Sequence, residues 1–302
     1  MQTIAIAGAT GNQGQCLMRI ILLPENQSRF KKIIAITRKA TDQTAEWEKG
    51  GATIATWSDD SDIPGILSDV DVLVNMVGPQ GHHLKELLLS AIPSSSIKLY
   101  LPSEFGVDHT IHDFSHPEWD YKRDHALGAR STAPNVKTCQ VFPGLFLERA
   151  IGPWMGFFTD RGEYLAVGSK TTKSSYTSME DVGRAVVEIA LLDARDVPEV
   201  VRISGDAKGV GDIAEVMEAA GAGTVKVKEV DFTEFKRKTI EKNGPVNEFI
   251  EFVMGSGTLD FSPSGQGNQN ELVNPGEKRW KWKTLKDLGE EHGGRPWKEV
   301  SW

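Results

Sequence analysis

The chain has 302 residues, of which 39% are hydrophobic and 25% are charged. This length and composition predict one large domain or two linked domains with a sizeable buried core. The net charge of −8 leaves no extended basic surface, so nucleic acid is not an expected partner. No apolar run approaches the roughly 20 residues that span a bilayer, and no signal peptide is evident. We therefore expect a soluble cytoplasmic protein that binds no membrane. Cys16 and Cys139 stand apart in apolar runs, a pattern typical of reduced core thiols, so a reducing compartment is expected.

Six short apolar runs alternate with segments of helical length in the first half of the chain. The runs occupy residues 4–8, 33–37, 52–56, 71–78, 98–102 and 137–142. Linking helices are predicted at Gln15 to Leu23, Ile63 to Ser68, Gly81 to Ile92 and Pro117 to Ser131. Apolar strands joined by helical crossovers indicate a parallel sheet with helices on both faces. The predicted fold class is therefore α/β, with a doubly wound parallel sheet.

The pattern changes after about residue 144. A helix is predicted over Leu145 to Asp160, another over 178–193, and a strand over 199–205 that returns to the sheet. Further helices and a strand between 210 and 254 predict a smaller C-terminal α/β domain. The tryptophan-rich tail at 280–302 is typical either of packing against the body or of a subunit contact, so a homodimer is one expectation.

Three glycines, Gly8, Gly11 and Gly14, follow the first predicted strand and open a helix. Glycines allow a tight turn and a close approach of backbone to ligand, and free N–H groups at a helix start face a pyrophosphate. The spacing GxxGxxG differs from the common GxGxxG, and a strand-to-helix turn without a ligand is the alternative. The dinucleotide-binding residues predicted here are Gly8, Thr10, Gly11, Asn12, Gln13 and Gly14.

The second predicted strand ends in basic residues, Arg38 and Lys39, where NAD-binding proteins usually have an acidic residue. Guanidinium and ammonium groups attract a 2′-phosphate, so NADPH or NADP+ is the favoured cofactor. A solvated basic turn is the alternative. The fourth strand ends at the same edge of the sheet, and Asn75, Val77 and Gly78 are expected along the adenine side and ribose of the cofactor.

No tyrosine stands in a YxxxK pattern, the catalytic pair of ordinary short-chain dehydrogenases. After the fifth strand the chain reads LPSEFGVD at 101–108, followed by a helix that contains Trp119 and, three residues later, Lys122. With GATGNQG and Arg38, these motifs make the first ~190 residues resemble the isoflavone reductase-like group of the NmrA-like atypical short-chain dehydrogenases.

That resemblance implies a Rossmann NADP-binding domain over 1–150, with 179–205 returning to it, and a mainly substrate-binding region over 151–302. It implies that Lys122 replaces the tyrosine–lysine pair as general acid/base beside the nicotinamide, a solvated helix lysine being the alternative. Ser103, Phe105, Lys122 and Pro143 are expected at the cofactor. The function implied is an NADPH-dependent reductase of a small aromatic or phenolic substrate.

Two other functions are compatible with these motifs. One is a redox sensor of the NmrA type, which binds the dinucleotide without turnover and controls a transcription factor through protein contact. The other is a redox-neutral isomerase or dehydratase on the same scaffold. The histidines at 109, 112, 116 and 125 follow no known metal-site spacing, so we expect a loop near the substrate and no metal.

Overall fold

The central sheet of the first half contains six parallel strands. In the computed structural model, which describes residues 1–296, they run in the order β3-β2-β1-β4-β5-β6. Every residue of the first strand is buried, which explains its unbroken small and β-branched sequence, TIAIA. The strands are β1 (Thr3–Ala7), β2 (Lys32–Thr37), β3 (Thr53–Thr56), β4 (Val72–Asn75), β5 (Leu99–Leu101) and β6 (Lys137–Thr138). This order and the parallel pairing confirm the doubly wound fold.

Helices connect these strands, as parallel pairing requires. They are α1 (Asn12–Ile21), α2 (Pro24–Gln27), α3 (Asp42–Lys49), α4 (Asp62–Leu67), α5 (His82–Ala91) and α6 (Pro117–Thr132). The first begins at Asn12, three residues earlier than predicted. Helix α3 was not predicted, although Thr41 and Thr44 form a capping box at its start and Trp47 is buried on its inner face.

The prediction of one helix over Leu145 to Asp160 is wrong. Strand β7 (Gln140–Phe142) precedes this segment. The segment itself is divided into β8 (Leu145–Phe146), α7 (Leu147–Ala150), a 3₁₀ turn at Pro153–Met155 and β9 (Phe157–Phe158). Pro153 lacks the N–H that would continue the helix, and Gly156 adopts a positive φ of 78°. Apolar spacing alone therefore misled the prediction.

The strand predicted at 199–205 exists but pairs differently. Strand β12 (Val200–Arg202) pairs with β7 in a separate two-stranded sheet and not with the six-stranded sheet. The chain passes from one sheet to the other between Cys139 and Gln140. The Cys139 N–H donates to the carbonyl oxygen of Tyr100, in the six-stranded sheet, at 2.9 Å, whereas the Gln140 N–H donates to the carbonyl oxygen of Glu199 at 2.8 Å. Helix α8 (Met179–Leu191) precedes it as predicted.

The described residues fall into two compact units. The first comprises Met1–Phe105, His112–Phe142 and Val182–Val201, and the second Gly106–Ile111, Pro143–Asp181 and the chain from Arg202. The second unit is of similar length, rather than the markedly smaller domain expected. Its remaining elements are β10 (Glu163–Val167), β11 (Ser174–Thr177), β13 (Asp206–Lys208), α9 (Val210–Met217), β14 (Lys226–Val230), α10 (Phe232–Glu241), α11 (Val246–Gly255), α12 (Asn270–Val273) and α13 (Leu285–Glu291).

Two small sheets organise the second unit, β14-β10-β9 and β13-β11-β8. Of the tryptophan-rich tail, Trp280 and Trp282 pack edge to face at 5.3 Å between ring centroids, and Trp297 and Trp302 lie outside the described residues. Within residues 1–296, no helix combines the length and apolar character needed to cross a membrane.

Candidate functional site

A cavity of about 480 Å³ opens at the carboxyl ends of β1, β2 and β4, where the strand order reverses. Ligands of doubly wound sheets bind in this crevice. Six residues predicted to bind a cofactor line it: Gly8, Thr10, Gly11, Arg38, Val77 and Gly78. The sequence motifs therefore predicted the position of the cavity correctly, although the segments that line it lie far apart along the chain.

The turn after β1 leaves no room for side chains at two of its glycines. Gly8 has a φ of 75°, and a Cβ built there would lie 2.6 Å from both the carbonyl carbon and the oxygen of Met76. A Cβ on Gly14 would lie 2.2 Å from Gly8 O, while the N–H of Gly11 donates to that same oxygen at 3.0 Å. The close packing of three backbone segments therefore explains these glycines.

The start of helix α1 offers hydrogen-bond donors to an anion. Gly11 is its N-cap residue and makes no side-chain cap hydrogen bond, and no acidic residue lies in the first turn. That turn contains Asn12, Gln13 and Gly14, three predicted site residues. The backbone N–H groups at a helix start and the helix dipole both favour negative charge at such a position, so the local structure fits a pyrophosphate.

Arg38 and Lys39 differ in position. Arg38 lines the cavity, is exposed, and makes no ion pair within residues 1–296. Lys39 is exposed but does not line the cavity, and its carbonyl accepts a hydrogen bond from Thr37 Oγ1 at 3.3 Å. Sequence reasoning missed Trp57, which lines the cavity directly after β3. Its place after a predicted strand could have revealed it.

Asn75 is fully buried and does not line the cavity, contrary to its expected place along the adenine and ribose. Its Nδ2 donates to the hydroxyl of Tyr100 at 2.9 Å, and its Oδ1 accepts from Val77 N at 3.1 Å. Ser103 Oγ donates to Val77 O at 2.7 Å. Asn75 and Ser103 therefore hold the backbone of a residue that does line the cavity, which explains why a polar residue ends an otherwise apolar strand.

Lys122 lies on α6 opposite the turn that follows β5. Its Nζ donates to the carbonyl oxygen of Glu104 at 2.9 Å. The next residue, Phe105, has a φ of 39°, rare for a side chain of its size, and its N–H donates to Val141 O at 3.1 Å. The Glu104 carboxylate accepts from Gln140 Nε2 at 2.8 Å. The PSEFG turn thus holds Glu104 by its side chain while its carbonyl orients Lys122.

Polar side chains are also buried where α5 packs against α6. The Tyr100 oxygen accepts from Asn75 and lies 2.7 Å from Nε2 of His125. Its own O–H therefore donates to that nitrogen, which places the ring proton on Nδ1, 3.5 Å from Glu86 Oε1. Tyr121 donates to the same carboxylate oxygen at 2.7 Å. Burial lowers the pKa of His125 and raises that of Tyr100, so both are neutral at pH 7.

Lys85 completes this group. Its side chain is 2% exposed, and its Nζ lies 3.9 Å from Glu118 Oε1 and 5.3 Å from the centre of the Tyr121 ring. Burial, with a contribution from the positive charge of Lys122, lowers the pKa of Lys85 to about 8. We name as the α5–α6 cluster the side chains of Lys85, Glu86, Tyr100, Glu118, Tyr121 and His125.

The remaining predicted features lie in other surroundings. Pro143 belongs to the second unit, where its carbonyl accepts from Thr177 Oγ1 at 2.8 Å. In the histidine-rich loop, His112 stacks on Phe114 and contacts the edge of Trp119, with ring centroids 4.9 Å apart in both pairs. Between residues 1 and 296, no three His, Cys, Asp or Glu side chains are grouped as a metal site would require.

Comparison with known proteins agrees with this architecture. The sequence profile of the NmrA-like family matches residues 1–286. An NmrA-like family domain-containing oxidoreductase of Gibberella moniliformis is 27% identical over 214 residues, 66% of this chain and 67% of that protein.

Solved structures agree as well. The leucoanthocyanidin reductase–NADPH complex of Vitis vinifera has a TM-score of 0.77 at 18% identity, covering 96% of this chain and 99% of that one. An isoflavone reductase has a TM-score of 0.77 at 16% identity with the same coverage. Since the profile extends over nearly the whole length, the chain belongs to the NmrA-like family.

Proposed function

We propose that this protein is an NADPH-dependent reductase in which Lys122 is the general acid/base. The observation that carries this proposal is the amino group of Lys122, oriented by the carbonyl of Glu104 on the first unit, whose sheet edge also forms the cofactor cavity. A redox sensor needs dinucleotide binding but has no need of a lysine held in this way.

The cavity supports NADPH as the cofactor. The uncapped start of α1 fits the pyrophosphate, and Arg38, which has no ion pair within residues 1–296, would be available to a 2′-phosphate. The similar leucoanthocyanidin reductase was solved with NADPH. Gly8, Thr10, Gly11, Val77 and Gly78 would contact the dinucleotide mainly through backbone, because glycines allow its close approach.

The residues of this chain contribute orientation and a proton. The cofactor, when bound, supplies hydride to an electron-poor carbon of the substrate. Lys122 donates a proton to the substrate oxygen that gains charge, or accepts one from a phenol, and the Glu104 carbonyl limits the positions that its amine can take. Similarity to leucoanthocyanidin and isoflavone reductases favours an aromatic or phenolic substrate. A cytoplasmic location and a homodimer are parts of the same proposal.

The test is consumption of NADPH with a panel of phenolic enones, quinones and benzylic ethers, followed by loss of reduced-nicotinamide absorbance. Lys122→Met should lower kcat about 10²- to 10⁴-fold on any accepted substrate, because it removes the acid/base group. Its NADPH dissociation constant should stay near that of the wild type.

Lys98→Met is the matched control, since Lys98 is an exposed lysine of the same unit paired with Asp71 at 2.8 Å. Full turnover in Lys122→Met would exclude Lys122 as the acid/base. NADPH binding without consumption across the panel would instead support the sensor or a redox-neutral enzyme.

A further inference from the structure

A network of buried hydrogen bonds connects helix α6 to the glycine turn of the cofactor cavity. The Val77 N–H donates to Asn75 Oδ1 at 3.1 Å, and Asn75 Nδ2 donates to the Tyr100 hydroxyl at 2.9 Å. That hydroxyl lies 2.7 Å from Nε2 of His125. Asn75 and Tyr100 are fully buried, and His125 is 6% exposed. Because these side chains are removed from water, each of them depends on its neighbours in the network for hydrogen bonds.

The backbone amide at one end fixes the direction of every hydrogen bond in this network. The N–H of Val77 can only donate, so the amide oxygen of Asn75 faces it and the NH₂ group faces Tyr100. The Tyr100 oxygen therefore accepts, and its own hydrogen goes to His125, the other hydrogen-bond partner of that hydroxyl among residues 1–296. Nε2 of His125 must then carry no proton. The network is complete in one protonation state of the ring only.

The Val77 amide lies against the turn that is proposed to bind the dinucleotide. A Cβ built on Gly8 would lie 2.7 Å from Val77 N. A Cβ built on Gly81, which also lines the cavity, would lie 2.2 Å from Val77 Cγ1. Closely packed segments leave no space that could absorb a displacement, so a movement of Val77 also moves the glycine turn or the cavity wall.

Protonation of His125 would reverse the hydrogen bond at the other end of the network. Both ring nitrogens then donate, so Nε2–H faces the Tyr100 oxygen and the tyrosine hydrogen loses its acceptor. Turning the Asn75 amide to offer its oxygen to that hydrogen would place its NH₂ group against the Val77 N–H, a donor against a donor. The Val77 amide therefore keeps its partner only while the imidazole is neutral.

We propose that His125 is a positioning residue of the cofactor cavity. Acting through Tyr100 and Asn75, its unprotonated Nε2 holds the Val77 amide against the glycine turn. Protonation of the ring releases that amide and weakens the binding of the dinucleotide. This inference rests on the proposed function, because it requires the cavity to bind NADPH or NADP+. By thermodynamic linkage, the bound dinucleotide in turn favours the neutral ring.

Titratable groups surround the His125 ring on α5, β5, α6 and the turn after β5. They are Lys85 and Glu86 on α5, Tyr100 on β5, Glu104 in the turn and Tyr121 on α6. Burial lowers the pKa of His125, and the neighbouring carboxylates oppose that shift without reversing it. The ring is therefore neutral at pH 7 and gains a proton as the pH falls below about 6.5. Weaker binding of the dinucleotide is expected only on the acidic side.

The dissociation constant of NADP+ tests the inference, measured by titration calorimetry on the full chain between pH 7.5 and pH 5. In the wild type it should rise about fivefold more over this range than in His125→Gln, because the glutamine oxygen accepts from Tyr100 at every pH. The His125→Gln profile is the baseline, since it includes the titration of the 2′-phosphate of NADP+ itself. At pH 7.5 the two constants should agree within about twofold. Superimposable profiles would overturn the inference.

Tyr100→Phe removes the connection between His125 and Asn75. It should weaken NADP+ binding about fivefold at pH 7.5, because Asn75 Nδ2 loses its acceptor, and its pH profile should run parallel to that of His125→Gln. Tyr164→Phe is the matched control, since Tyr164 is a fully buried tyrosine of the second unit whose hydroxyl lies 3.0 Å from Thr159 Oγ1. It should keep the affinity and the pH profile of the wild type. A wild-type profile in Tyr100→Phe would contradict the inference.

Nuclear magnetic resonance of the cofactor-free chain tests the network without binding or turnover, and it remains decisive if Tyr100→Phe fails to fold. In the wild type with isotopically labelled histidine and valine, the His125 ring should carry its proton on Nδ1 at pH 7.5. On acidification, the signal of the Val77 amide should shift with the same midpoint as that ring, and in His125→Gln it should stay in place.

A ring proton on Nε2 at pH 7.5, or a Val77 signal that does not follow the ring, would overturn the inference. Failure of the proposed function is seen separately, as a wild-type chain that binds no NADP+ or as full turnover in Lys122→Met.

Discussion

The glycine turn at Gly8–Gly14 and the α5–α6 cluster differ in which part of the chain provides the chemistry. In the turn, backbone amides and the absence of side chains prepare a surface for an anion. In the cluster, side chains from β5, α5 and α6 contact one another, Lys85, Tyr100 and His125 being buried, and they shift one another's pKa values. The first depends on local geometry and tolerates little substitution, whereas the second depends on tertiary packing and can be adjusted one charge at a time.

Gly8→Ala should have the largest effect on the turn. The new Cβ would lie 2.6 Å from the Met76 carbonyl at a φ of 75°, so the turn has to move. We expect a loss of about 2 kcal/mol or more in the free energy of unfolding and at least a tenfold weaker NADPH affinity. Urea unfolding and fluorescence titration with NADPH measure the two quantities.

Gly78→Ala is the matched control, because Gly78 lines the same cavity, has a φ of −68°, and has no atom within 4 Å of a built Cβ. It should remain close to the wild type in the free energy of unfolding. If the two variants are equally stable, the Gly8 turn accommodates a side chain and does not require glycine.

Arg38→Ala should act on the cofactor preference rather than on the fold. Its guanidinium lines the cavity and has no ion pair within residues 1–296, so its loss should weaken NADPH binding about 10- to 100-fold, the usual worth of a charge-assisted contact. NADH binding should change little. Lys39→Ala is the control, because it removes one positive charge at a neighbouring position outside the cavity. A smaller loss of NADPH affinity in Lys39→Ala than in Arg38→Ala indicates a specific contact of Arg38 rather than a general effect of positive charge. Equal weakening of NADPH and NADH by Arg38→Ala would remove the basis for the NADPH assignment.

Replacing His125 should have the smallest effect of these substitutions, a change in the free energy of unfolding that is seen only at acidic pH. Burial lowers its pKa in the folded chain, so the unfolded chain binds more protons and this contribution to stability is lost as the pH falls below about 6.5. His125→Gln should flatten the decline in the free energy of unfolding between pH 7 and pH 5. The control is His83→Gln, an exposed histidine that faces Asp60 at 2.9 Å. If the free energy of unfolding of His125→Gln falls between pH 7 and pH 5 as steeply as that of the wild type, a group other than His125 causes the acid sensitivity.

The sheet could be predicted because its strands are buried on both faces and appear as apolar runs, as β1 and β4 do. The segment 145–160 could not, since the same apolar spacing serves a helix or a set of short pieces, and Pro153 and Gly156 decide between them locally. Helix α3 was missed because it is polar except for a few positions such as Trp47.

The candidate site likewise contains residues that the sequence predicts and residues that it does not. Gly8, Gly11 and Arg38 could be predicted because their positions beside strands determine where they lie. Lys85 and Tyr100 could not, since one appears as an ordinary polar position of a helix and the other as an apolar position of a strand. Their relation to His125 arises only when α5 and α6 pack together. Asn75 shows the reverse error, because its place at the strand end was correct but its side chain points into the protein.

The missing cap of helix α1 has a consequence for the protein in the cell. A helix start without a side-chain acceptor is incomplete until an anion binds, so the proposed cofactor would act as the cap and bind the folded chain in preference to the unfolded one. At a cofactor concentration about 100 times the dissociation constant, this preference adds about 2.7 kcal/mol to the folded state. Resistance of the chain to unfolding and degradation would then follow the supply of its own cofactor.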